Sequence, residues 1–143
     1  MIKLDDEEKT KQLATDFAKR LKPGDLVVLN GDLGAGKTTF TRYTFEALGA
    51  KGVVNSPTFA IMKVYESPVA ELYHFDTYRI DVNEAIESGF DEILSNRQGK
   101  IIFIEWSENI APLLQNITYT INLKYITENE REIEIVNNEQ TNN

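Results

Sequence analysis

One segment constrains this chain more than any other. GDLGAGKTTF, from Gly31 to Phe40, follows the apolar run Leu26-Val27-Val28-Leu29 and leads into a helical pattern, Lys37 to Leu48, that Gly49 stops. Gly31, Gly36, Lys37 and Thr38 satisfy the spacing G-x-x-x-x-G-K-[ST]. A buried strand feeding a glycine-rich turn that opens a helix is the context this spacing requires. Glycines permit positive φ, so successive N–H groups can turn inward around a phosphate. The helix N-terminus adds partial positive charge. The backbone of Leu33, Gly34, Ala35, Gly36 and Thr39 is therefore expected to cradle phosphates. Lys37 is expected to bridge the β- and γ-phosphates, and the Thr38 hydroxyl to ligate Mg²⁺. These residues imply a site for a nucleoside triphosphate with Mg²⁺.

Other segments supply the fold around the loop. Asp5 to Leu21 reads as an amphipathic helix, with Leu13, Phe17 and Leu21 four residues apart, and Pro23-Gly24 breaks it. Lys100 to Trp106 contains a second wholly apolar run, Ile101-Ile102-Phe103-Ile104. Such runs suit strands buried on both faces of a parallel sheet. Thr58 to Tyr65 and Val69 to Phe75 read as a hairpin after a loop from Gly52 to Pro57, and Asp81 to Gln98 as short helical pieces broken at Gly89. Ile117 to Leu123 and Glu132 to Val136 alternate polar and apolar, which predicts antiparallel strands near a sheet edge. The expected architecture is α/β: a three-layer P-loop NTPase fold with a mostly parallel central sheet and antiparallel edge strands. It occupies one domain, residues 1–136, followed by a polar tail, 137–143, expected to be disordered.

Composition narrows the chemistry. There is no cysteine and one histidine, His74, so a metal here must be held by oxygen donors, which suits Mg²⁺. The net charge of −8 argues against direct, tight nucleic-acid binding. Lys9, Lys11, Lys19, Arg20 and Lys22 still leave room for a local basic face. No run approaches the roughly 18 apolar residues of a membrane span, and the acidic start, Met1 to Glu8, lacks a signal-peptide core. A cytoplasmic protein with no membrane contact is expected.

Mg²⁺ needs a second contact, and two acids end strands: Glu105 after IIFI and Asp76 after LYHF. A carboxylate there lies at the C-terminal edge of the sheet, where open α/β folds bind ligands. By alternation Leu72, His74 and Asp76 share one face, with Tyr73 and Phe75 on the other. His74 is therefore expected beside Asp76. Thr58 is a candidate switch hydroxyl sensing the γ-phosphate, and Trp106 is either a core anchor or a contact for nucleotide or partner. The guanine-reading sequence Asn-Lys-x-Asp is absent.

Together with these residues, SPTF at Ser56, YHFDTYRI at Tyr73, ESGFDEIL at Glu87 and IIFIEWSE at Ile101 make the chain resemble the TsaE (YjeE) family. That family comprises P-loop ATPases of tRNA threonylcarbamoyladenosine synthesis. The matching blocks run in family order over most of residues 1–125. The resemblance implies that Lys37 binds phosphate, that Thr38 and Glu105 are the Mg²⁺ ligands, and that Asp76 serves ATP hydrolysis. It makes Trp106 functionally important and Ser56, Pro57 and Thr58 a switch-like loop. It places Glu7 and Thr10, with neighbouring Lys9, at the adenine, and Arg131 near the nucleotide. It further implies an ATPase that is slow alone and stimulated by TsaB and TsaD homologues, which modify adenosine 37 of tRNAs reading ANN codons. ATP or ADP is then the ligand, and tRNA is met only indirectly. Two other readings of the residues stay open: a small P-loop kinase, and a nucleotide-sensing scaffold.

Overall fold

The computed structural model describes residues 1–32, 34–52, 54 and 62–141. In chain order the elements are β1 (Ile2–Leu4), α1 (Glu7–Ala18), β2 (Leu26–Asn30), α2 (Lys37–Ala47), β3 (Met62–Tyr65), β4 (Glu71–Asp76), α3 (Val82–Glu87) and α4 (Phe90–Ser95). They continue with β5 (Lys100–Glu105), a 3₁₀ segment (Ser107–Leu113), β6 (Tyr119–Thr127), β7 (Glu130–Asn137) and a short α5 (Asn138–Thr141).

All seven strands join one sheet in the order β1-β7-β6-β2-β5-β4-β3. The four central strands β6, β2, β5 and β4 run parallel, while β3, β7 and β1 attach antiparallel. The two apolar runs are the centre: Val27 pairs with Phe103, and Leu29 with Glu105. On one face Val27, Leu29, Leu72, Ile101 and Phe103 pack against Phe17 of α1 and against Phe40 and Phe45 of α2. On the other, Leu26, Tyr73, Phe75, Ile102 and Ile104 meet α3, α4 and Ile110 of the 3₁₀ segment. Two covered faces explain why neither β2 nor β5 shows alternation. Each fully buried Phe or Ile contributes about 1.5–3 kcal/mol of transfer free energy, which holds the central strands flat against both helical layers.

Local rules account for the boundaries. Asp6 caps α1, its Oδ1 accepting from the Lys9 N–H at 2.8 Å, so the helix starts at Glu7. Asp81 and Glu84 form a reciprocal capping box on α3, and Gly89 at φ 82° separates it from α4. β5 ends at Glu105 because Trp106 is left-handed, with φ 61°.

One expectation needs correction, and two features go beyond the sequence reading. β6 runs antiparallel to β7, as expected, and also parallel to β2, with β7 and β1 lying outside it. β1 is too short to carry a periodic signal and exists through its pairing with Ile133, Glu132 and Arg131. The polar tail expected to be disordered from residue 137 begins instead as structure. Asn137 pairs with Tyr119, the Asn138 N–H donates to the Thr118 carbonyl at 2.9 Å, and α5 runs to Thr141. Backbone and amide hydrogen bonds replaced the hydrophobic signal there. The expected loop and strand start over residues 55–61 lie outside the described residues. Among the described residues, no helix is long and apolar enough to cross a membrane.

Candidate nucleotide site

The loop after β2 owes its shape to its glycines. Gly31, Gly34 and Gly36 have φ of 150°, 81° and 101°, conformations that L side chains rarely adopt. At Gly31 the limit is also steric, because a Cβ would stand 2.5 Å from the Leu123 carbonyl oxygen. Gly36 is the N-cap of α2 and no side chain caps the helix, so its first N–H groups face the loop. Lys37 opens the helix and folds back, its Nζ donating to the Gly31 carbonyl. The same ammonium lies 3.8 Å from the centroid of the Trp106 ring, a cation–π contact. Burial pushes the Lys37 pKa down, against the pull of Glu105, Glu108, Asp76 and Asp32 around it.

β5 and β4 deliver the acids. Glu105 and Asp76 end adjacent parallel strands in register. The Glu105 side chain is 5% exposed, and its Oε2 accepts from Thr38 Oγ1 at 3.1 Å and lies 2.6 Å from His74 Nε2. Asp76 is half-buried and its Oδ1 accepts from the Tyr78 N–H at 3.1 Å. The strand ends are tied together. Thr77 Oγ1 reaches the carbonyls of Glu105 and Trp106 at 3.0 and 2.7 Å, and Asn109 Nδ2 donates to those of Thr77 and Tyr78. Tyr78 packs on Trp106 with centroids 4.7 Å apart.

Beside the loop opens a cavity of about 450 Å³ whose lining includes Glu7, Thr10, Gly36, Thr39 and Arg131. Arg131 spans it, donating through Nε to the Gly34 carbonyl at 2.9 Å and standing 4.5 Å over the Tyr125 ring. Glu7 receives Arg42 Nη2 at 3.2 Å. Asp5, Asp6, Leu123, Glu128 and Asn129 also line the space.

The structure thus gathers Lys37, Thr38, Glu105, Asp76 and Trp106 at the end of the parallel strands, and Glu7, Thr10, Thr39 and Arg131 around one cavity. Leu33, Ser56, Pro57 and Thr58 lie outside the described residues. His74, expected on the same face as Asp76, hydrogen-bonds to Glu105 of the adjacent strand. In-register parallel pairing puts side chains of neighbouring strands on a common face, a signal visible only once β4 and β5 are known to be neighbours. Thr77 and Asn109 carried no sequence signal, since their partners are backbone carbonyls.

Thr38 Oγ1 and the Glu105 carboxylate present hard oxygen ligands side by side, Oε2 accepting from the hydroxyl. That set fits Mg²⁺, which takes few protein ligands and completes its shell with waters and phosphate oxygens. Among the described residues no group of three or more acid or histidine side chains makes an alternative metal site.

Comparison with known proteins identifies a family for the chain. The profile of the family described as threonylcarbamoyl adenosine biosynthesis protein TsaE matches residues 4–133. The tRNA threonylcarbamoyladenosine biosynthesis protein TsaE of Rickettsia typhi is 45% identical over 133 residues, 92% of this chain and 90% of its own length. The protein of the same name from Bacillus subtilis is 44% identical over 126 residues, 88% of this chain and 78% of its own. The crystal structure of Bacillus subtilis YdiB superposes with a TM-score of 0.77 at 38% identity, covering 94% of this chain and 82% of that one.

Proposed function

This chain belongs to the TsaE family, and from that premise we propose that it is a Mg²⁺-dependent ATPase in the formation of threonylcarbamoyladenosine on tRNA. The observation that carries the reading is the hydrogen bond between Thr38 and Glu105. It joins the hydroxyl of the phosphate loop to an acid at the end of the neighbouring parallel strand, as hydrolysis of a Mg²⁺–nucleotide requires.

Each residue then has a task. The N–H groups from Gly34 to Thr39 and the α2 N-terminus hold the phosphates. Lys37 exchanges the Gly31 carbonyl for β- and γ-phosphate oxygens, and its charge meets the negative charge that builds in the transition state. Thr38 and Glu105 would hold Mg²⁺, which would supply positive charge to the phosphates. Asp76, beside Glu105 at the sheet edge, orients the attacking water. Glu7, Thr10 and Arg131 surround the base, and Trp106 flanks the phosphates. Thr58 as a γ-phosphate sensor belongs to the same proposal.

Hydrolysis is slow in the isolated chain and is stimulated by TsaB and TsaD homologues in the cytoplasm. A net charge of −8 suits a subunit that reaches tRNA through partner proteins. Phosphate release from ATP, measured with and without those homologues, tests this. Stimulation that disappears in Asp76→Asn supports it. Equal rates with no complex by size-exclusion chromatography refute the partnership, and label transferred from ATP to an acceptor other than water refutes the hydrolase.

A further inference from the structure

A buried carboxylate that must aim at one hydroxyl needs something to aim it. Glu105 is such a group, with its side chain 5% exposed and Thr38 Oγ1 at 3.1 Å from Oε2. If the Thr38 oxygen is to offer a lone pair to a cation, its proton must point away, toward Glu105. The carboxylate orientation therefore sets the hydroxyl orientation. The second partner of the same Oε2 is His74 Nε2, 2.6 Å away.

We propose that His74 is a positioning residue for the metal site, holding Glu105 so that the Thr38 hydroxyl presents its oxygen to Mg²⁺. This rests on the reading of Thr38 and Glu105 as the metal-binding pair. His74 is itself well held. Its side chain is wholly buried, its ring stands edge-on to Phe45 at 6.3 Å, and its backbone pairs with Phe103. Nδ1 has no hydrogen-bond partner among the described residues. A buried imidazole with one nitrogen unpaired costs stability that a phenyl ring there would not, so what the imidazole adds is the contact through Nε2. Donation to a carboxylate requires the proton on Nε2. Partners that orient metal ligands from behind are known to change metal affinity about 10- to 100-fold when removed.

Two experiments decide it. Calorimetric titration of ADP with and without Mg²⁺ measures how much the metal tightens binding. His74→Phe should keep metal-free ADP affinity within about twofold but lose at least about tenfold of the Mg²⁺-dependent gain, and His74→Gln, which retains an N–H donor, should recover much of it. A full Mg²⁺-dependent gain in His74→Phe overturns the positioning role and leaves the metal site standing. Absence of any Mg²⁺-dependent gain in the wild-type protein overturns both. Because His74 is the single histidine, long-range ¹H–¹⁵N spectra of ¹⁵N-histidine-labelled wild-type protein read it directly, with no dependence on a variant folding. The Nε2–H tautomer is expected, with its resonance moved by Mg²⁺ added to the ADP complex beyond the effect of ADP alone. The Nδ1–H tautomer, or no response to Mg²⁺, refutes the proposal.

Discussion

The ammonium of Lys37 rests 3.8 Å from the centroid of the Trp106 ring, so the lysine of the phosphate loop is held on an aromatic face by a residue 69 positions further along the chain (106 − 37). Trp106 reaches this place through a left-handed backbone, φ 61°, at the end of β5. Thr77 and Asn109 tie that turn to the end of β4.

Nucleotide binding should therefore be visible in the emission of the single tryptophan. Adding ADP with Mg²⁺ draws Lys37 toward phosphate and off the ring, and the emission changes with saturation. In Lys37→Ala the titration should weaken by about 10- to 100-fold, the loss of a hydrogen bond from a charged donor. An unchanged titration curve in that variant would place the nucleotide elsewhere.

Thr77→Val tests the tie between the strands. The substitution keeps the shape of the side chain but leaves the carbonyls of Glu105 and Trp106 without the Thr77 hydroxyl, which reaches them at 3.0 and 2.7 Å. Urea unfolding should show a loss of about 1–3 kcal/mol, accompanied by an altered tryptophan emission in the absence of nucleotide. Wild-type stability together with wild-type emission would show that Thr77 does not hold the turn.

Gly31 and Gly24 separate steric from conformational demands. Both have positive φ, but a Cβ at Gly31 would meet the Leu123 carbonyl oxygen at 2.5 Å, whereas at Gly24 it would meet nothing within 4 Å. Gly24→Ala should cost about 1–2 kcal/mol for the left-handed backbone alone. Gly31→Ala should cost more, about 2–4 kcal/mol, and should also weaken nucleotide binding. Equal losses in chemical unfolding would contradict the packing of the loop against β6.

Asp25 makes stability pH-dependent in the acid range. Its carboxyl sits in a residue 3% exposed, and Oδ2 accepts from the Lys22 N–H at 2.9 Å. Burial raises its pKa, with the Lys22 N–H opposing. The folded state therefore binds this proton more tightly than the unfolded chain does. The resulting stabilisation is complete below the ordinary value of 3.8, and is lost as pH rises through the raised folded value. The stability of wild type relative to Asp25→Asn should fall over that window and then level off, leaving the variant at least as stable at neutral pH. A difference that grows with pH would reverse the sign of the argument.

Much of this molecule is local and was readable before any contact was known. Glycines at 34 and 36 need only their own φ angles, and the apolar runs of β2 and β5 need only to be buried on both faces. Glu105 and Asp76 follow the last apolar residue of their strands, so their placement at the sheet edge came with the strands themselves. The partners of these residues were another matter. That Glu105 turns to Thr38 and His74 depends on β5 lying between β2 and β4, an order that no segment carries in its own residues. Arg131 was marked only by resemblance. Its hydrogen bond to Gly34 exists because β7 folds back along β6, which itself lies against β2, bringing residues 97 positions apart to one loop. β1 is three residues long and the segment after Asn137 is polar, so neither announces itself in the sequence. Torsional preference and burial act within a few residues and are written in the chain. Strand order is a property of the whole packed sheet, and only the tertiary structure decided which side chains meet.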